Sequence, residues 1–144
     1  MANELYADWV SPRPDPRPSW DEYFLTIAAA VSRRADCTRR KVGAVIVGPD
    51  HRIIECGYNG SEPGKPGCLT DGACPRGRGE TLITGDYDMC VAIHAEMNAL
   101  LRAGVRAQGA TLYCTDWPCR GCMKHIRAAG IARVITPVEE TWFG

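Results

Sequence analysis

The sequence predicts an α/β domain on a mixed sheet, and three observations carry that expectation. Segments with apolar residues at helical spacing alternate with short runs rich in β-branched residues. The first two such runs flank the turn Gly48-Pro49-Asp50-His51, which makes them an antiparallel hairpin. The last two are separated by a helix-length segment, which makes them a parallel pair joined by a right-handed crossover. The element order is therefore α-β-β-α-β-α-β, and 144 residues suffice for one core.

The first helix starts where Ser19 and Glu22 form a capping box, and Trp20, Tyr23, Phe24, Ile27 and Val31 extend its apolar stripe to about Arg34. Val42 to Val47 and Arg52 to Asn59 are the hairpin strands. From Ser61 to about Met89 there is Gly, Pro and basic character but no period, so this is a long loop of the kind that usually serves function. Ala95 to Ala103 is a helix closed by Gly104, and Ala110 to Thr115 a strand. Cys119 to Ala129 is a helix closed by Gly130, and Arg133 to Thr136 the fourth strand. Ahead of all this, residues 1–18 end in alternating Pro, Arg and Asp, an extended solvated arm outside a domain at 19–144.

Lys and Arg number 17 against 17 Asp and Glu, so no global field draws the chain to nucleic acid or an anionic membrane, and neither partner is expected. No apolar run approaches a membrane span and the N-terminus lacks the layout of a signal peptide, which places the protein in the cytoplasm. In a reducing compartment its 8 cysteines are core residues or metal ligands rather than disulfides.

Chemistry concentrates in two short motifs. His94 precedes Ala95 and Glu96, and Pro118 precedes a Cys119-Arg120-Gly121-Cys122 pair. One imidazole and two thiolates make three zinc ligands, which leaves the fourth position of a tetrahedral ion for water, as in catalytic rather than structural sites. Residues two apart do not share a helix face, so His94 and Glu96 converge on one ion only if His94 is the non-helical cap. Pro118 starts the second helix, whose first-turn N–H groups and dipole stabilise the two thiolates. Separately, each piece has a plain reading as a packed histidine or a redox pair; together they are specific.

His-x-Glu followed by Pro-Cys-x-x-Cys resembles the zinc deaminases of nucleobases, in which the glutamate shuttles protons and is not a ligand. With "RRKVGAVIV", "GYNG", "IHAEMNAL" and "TDWPCRGCMKHIRAAGIARVI", the chain resembles the deoxycytidylate (dCMP) deaminases of the cytidine deaminase-like superfamily over roughly Ser19 to Thr136. The resemblance implies a three-layer α/β/α sandwich and hydrolytic deamination of a cytosine nucleotide, dCMP to dUMP, with release of ammonia. Zinc (Zn²⁺) activates the water, and Glu96 carries protons to N3 and then to the leaving amino group.

It also implies that the Ala95 backbone holds the base and that Asn59 bonds the sugar 3′-hydroxyl, although Asn59-Gly60 is equally an ordinary turn pair. Trp117 either walls the base pocket or packs. With no phosphate loop of the Walker type, Arg39 and Arg40 are the groups this resemblance assigns to the phosphate, and Lys41 is left as solvated charge. Cys68, Cys74 and Cys90 are either buried free thiols or, as in some relatives, part of a second metal site, which here would be mostly thiolate. A homo-oligomer is expected, hexamers being frequent among relatives. The same zinc chemistry on cytidine, a nucleoside antibiotic or guanine stays open, as does a zinc-stabilised binding module without catalysis; Glu96 argues against the last.

Overall fold

The computed structural model describes residues 14–72, 74 and 90–143. Residues 14–18 are exposed and form neither helix nor strand, and the rest of the expected arm lies outside the described residues. Most of the loop from Ser61 to Met89 lies outside them too.

Helix α1 spans Trp20–Ser32. Its capping box forms as expected: Glu22 N donates to Ser19 Oγ and Ser19 N to Glu22 Oε2, both at 3.1 Å. The buried face is Phe24 and Ala28. Trp20 and Tyr23, which helical spacing puts in the core stripe, are instead 50% and 45% exposed. They sit in the first turn, and Trp20 stacks on His51 of the hairpin turn at 4.3 Å.

Strand β1, Gly43–Val47, pairs antiparallel with β2, Ile53–Tyr58. Helix α2, Ala95–Ala103, runs into a 3-10 turn at Gly104–Ala107 and then β3, Thr111–Cys114. Helix α3, Arg120–Ala128, leads to β4, Arg133–Ile135, and then to β5, Glu140–Trp142. The sheet order is β2-β1-β3-β4-β5. Strands β3 and β4 are the expected parallel pair, with Leu112 opposite Val134, and the other pairings are antiparallel, so the sheet is mixed.

The fifth strand corrects the expected order to α-β-β-α-β-α-β-β. Thr136 N donates to Glu139 O at 2.8 Å and Glu139 N to Thr136 Oγ1 at 3.0 Å, a tight turn that folds Glu140–Trp142 back onto β4. Glu140-Thr141-Trp142 carries neither a run of β-branched residues nor an apolar alternation, which is why the sequence pattern missed it. Arg133 secures the return by pairing with both Asp21 of α1 and Glu140 of β5.

Side chains alternate across a strand, and β1 is buried on both faces. Val45 and Val47 pack with Phe24 and Ala28 of α1, while Ala44 and Ile46 pack with Ala95, Ala99 and Leu100 of α2 and Cys122 and Ile126 of α3. One helix on one face and two on the other make the three-layer α/β/α sandwich. No helix among the described residues is long and apolar enough to cross a membrane.

The register sets Gly43 opposite Tyr58 and Ala44 opposite Cys114. The carboxyl ends of β2 and β3 and the start of β1 therefore share one edge of the sheet. Crevices outside strand carboxyl ends are where open α/β sheets bind ligands, and the candidate site lies there.

Candidate active site

Chain entry to α2 is fixed by a bridge between Gly60 and Ile93, with Ile93 N donating to Gly60 O at 2.8 Å and Gly60 N to Ile93 O at 3.1 Å. His94 follows as the helix cap, with extended backbone at φ −64° and ψ 152°. That conformation swings the imidazole off the helix axis and lets it share a target with Glu96 in the first turn, the arrangement the two-residue spacing demands. Cys119 caps α3 in the same way, with Cys122 N donating to Cys119 Sγ at 3.4 Å.

These two caps bring three metal-ligating atoms together. His94 Nδ1 lies 3.5 Å from Cys119 Sγ and 3.3 Å from Cys122 Sγ. Among the described residues, His94, Cys119 and Cys122 are the one group of three such side chains whose ligand atoms all lie within 4.8 Å of one another. Tetrahedral zinc bonds of about 2.0 Å to nitrogen and 2.3 Å to sulfur would set N and S about 3.5 Å apart, so the donor set fits that ion.

Glu96 is buried beside them. Its Oε1 accepts from the Cys114 thiol at 3.5 Å, and its Oε2 lies 3.9 Å from Cys122 Sγ. Burial pushes the Cys122 thiol well above its ordinary range, and the nearby Glu96 and Cys119 push it further. Cys114 is raised for the same two reasons, burial first and Glu96 second. Two thiolates and a carboxylate this close repel each other, and a divalent cation would offset that repulsion. Cys114 was not singled out by the sequence, because only the fold shows that the end of β3 faces Glu96.

A cavity of about 280 Å³ opens over this group. His94, Glu96 and Cys119 line it, and Cys122 is buried. Asn59, Ala95 and Trp117 line it as well, with Trp117 37% exposed. Arg39 and Arg40 line it from the loop between α1 and β1. Asn59 is anchored at both ends of its amide: Oδ1 accepts from Val42 N and Nδ2 donates to Arg40 O, each at 2.8 Å. Lys41 is exposed and does not line the cavity.

Further lining residues escaped the sequence reading, among them Cys37 and Asp116. Cys68, Cys74 and Cys90 also line it, and all are free thiols. Burial and the neighbouring Cys74 push the Cys68 thiol up to about 11. Asp36 draws this segment in: its carboxylate accepts from Leu69 N at 2.8 Å, Thr70 N at 2.9 Å, Thr70 Oγ1 at 2.8 Å and Gly67 N at 3.1 Å. No spacing rule in the sequence connects Asp36 to residues so far along the chain.

The model of the cytidine and deoxycytidylate deaminase zinc-binding region matches residues 18–137. The chain belongs to this family. Among curated members, the deoxycytidylate deaminase of Mycobacterium phage D29 is 50% identical over 129 residues, which cover 85% of this chain and 98% of that protein. The Schizosaccharomyces pombe deoxycytidylate deaminase is 41% identical over 121 residues, covering 83% of this chain but 37% of that one. The chain thus spans nearly all of the phage deaminase and well under half of the yeast one. The dCMP deaminase of cyanophage S-TIM5, solved in complex with dCMP and dUMP, superposes with a TM-score of 0.61 at 31% identity, covering 83% of this chain and 82% of that one. Zinc is the ion of this deaminase region, and the His94, Cys119 and Cys122 donors have the chemistry for it.

Proposed function

We propose that the chain hydrolyses dCMP to dUMP and ammonia, with zinc held by His94, Cys119 and Cys122. The observation that carries this is the buried Glu96 carboxylate beside three metal-ligating side chains, in a cavity also lined by two arginines. Membership of the deaminase family and the deoxycytidylate deaminases among the chain's relatives support the substrate. When bound, the zinc ion lowers the pKa of a water and so supplies a nucleophile at neutral pH.

Glu96 accepts the proton given up by that water and returns it to N3 of the cytosine as oxygen adds at C4. The proton of the new C4 hydroxyl then passes through Glu96 to the exocyclic nitrogen, the C4–N bond breaks, and ammonia leaves a carbonyl at C4. Burial keeps this carboxylate away from bulk water, so the proton is delivered to substrate rather than exchanged. The Ala95 backbone holds the base beside Glu96, and Trp117 walls it. Asn59 keeps one Nδ2 proton and one Oδ1 lone pair beyond its two backbone bonds, enough to meet the sugar 3′-hydroxyl. Arg39 and Arg40 receive the phosphate.

The assembly proposed is a homo-oligomer, a hexamer by analogy with relatives, acting in the cytoplasm from the domain at 19–144 with 1–18 as an outlying arm. Leu101 and Val105, 64% and 90% exposed on α2 and the turn after it, support association. The test is ammonia release from cytosine, cytidine, deoxycytidine, CMP, dCMP, dCTP, adenosine and guanine. Preference for dCMP, with a raised KM for it in Arg40→Ala, is expected; preference for deoxycytidine would replace the nucleotide reading with a nucleoside one.

A further inference from the structure

We infer that Asp116 is a positioning residue for substrate: its carboxylate fixes the Arg40 guanidinium where the 5′-phosphate enters the cavity. The inference rests on the nucleotide reading above and deepens it.

Arg40 Nε donates to Asp116 Oδ2 at 3.1 Å. The pair joins two loops that both line the cavity, the one between α1 and β1 and the one between β3 and α3. Its side chains are 58% and 38% exposed, and ion pairs so open to water contribute little to folding. The Arg133–Asp21 pair is the contrast, since its guanidinium is only 17% exposed and ties α1 to the sheet. The consequence of the Arg40–Asp116 contact is orientation. Arginine loses considerable rotamer freedom when it grips a ligand, and a guanidinium already held in place has less to lose.

The backbone of Arg40 is held as well, because its carbonyl accepts from Asn59 Nδ2 at 2.8 Å. Both ends of the residue are therefore fixed, the main chain by Asn59 and the side chain by Asp116. Asp116 also lies just ahead of Trp117 and Cys119, so the phosphate grip and the metal-binding segment share a loop.

A carboxylate beside a phosphate site has an opposing effect, since it repels the incoming dianion. The sign of the mutational effect separates the two. The zinc-loaded full chain is assayed on dCMP as wild type, Asp116→Asn, Asp116→Glu, Arg40→Ala and the Arg40→Ala/Asp116→Asn double variant, each checked for metal content and melting. Asp116→Asn should raise KM for dCMP about fivefold and change kcat by less than about twofold, with Asp116→Glu recovering much of the loss. The double variant should be no worse than Arg40→Ala alone, because the carboxylate acts through the arginine. An unchanged or lowered KM in Asp116→Asn, or fully additive effects in the double variant, overturns the inference. If the wild type ignores dCMP, the nucleotide reading falls and this inference with it; if the wild type prefers dCMP and Asp116→Asn does not raise its KM, the inference alone falls.

Discussion

Cys122 Sγ lies 3.3 Å from His94 Nδ1 although 28 residues separate them. Two helix starts meet at this point, and neither holds a metal alone. The expected zinc content is one ion per chain, and Cys119→Ala should abolish it. Cys119 is also the cap of α3, so that variant should lose about 1 kcal/mol of helix stability besides. Cys119→Ser separates the two effects: the hydroxyl caps the helix but is a poor zinc ligand. Metal analysis with thermal melting decides, and full zinc occupancy in Cys119→Ala would remove the ligand assignment.

Glu96 separates structure from chemistry. Its carboxylate lies against Cys114 and Cys122, and glutamine has nearly the same shape. Glu96→Gln should keep zinc and melt like the wild type while kcat falls by about 10²- to 10⁴-fold, the usual loss when a placed acid/base is removed. Near-normal turnover would exclude Glu96 as the proton carrier.

The Asp36 clamp should appear in the pH dependence of stability. The Thr70 N–H and hydroxyl, then the Gly67 and Leu69 N–H groups, hold its carboxyl below the usual range in the folded protein. A group with a lowered folded pKa binds its proton more readily in the unfolded chain, so its contribution is full above the unfolded value of about 3.9 and fades as pH falls through the folded one. The gap in melting temperature between wild type and Asp36→Asn should therefore be widest near neutrality and narrow below about pH 4. A gap that stays constant from neutral to acid pH would show that the clamp does not act through the charged carboxylate.

What the sequence made legible was whatever depends on neighbours along the chain. The capping box at Ser19, the cap position of His94 and the approach of Cys122 to Cys119 all follow from spacing within one turn. Long-range pairings were not legible: Cys114 against Glu96, Asp116 against Arg40 and Asp36 against Thr70 are made by the fold and leave no periodic trace. Trp20 and Tyr23 show the opposite error, since helical spacing does not reveal which positions of an apolar stripe the fold leaves uncovered.

Gly57 links the sheet to the chemistry most directly. A Cβ built there would lie 2.5 Å from Ala95 O and 2.6 Å from Ala99 N, both backbone atoms of α2. Helix backbone cannot yield as a flexible side chain would, so Gly57→Ala must push α2 off β2. Overpacking of this kind costs about 1–3 kcal/mol. The helix that moves begins with Ala95 and Glu96, and His94 is its cap. A shift of this element therefore displaces the carboxylate from the metal site, and activity in a positioned site falls steeply with small misplacements. Gly57→Ala should lower the melting temperature and, in the fraction that remains folded and zinc-loaded, reduce kcat by about tenfold or more. Denaturation curves, together with turnover normalised to bound zinc, test both halves: wild-type values in each would mean that the β2–α2 contact does not set the position of Glu96.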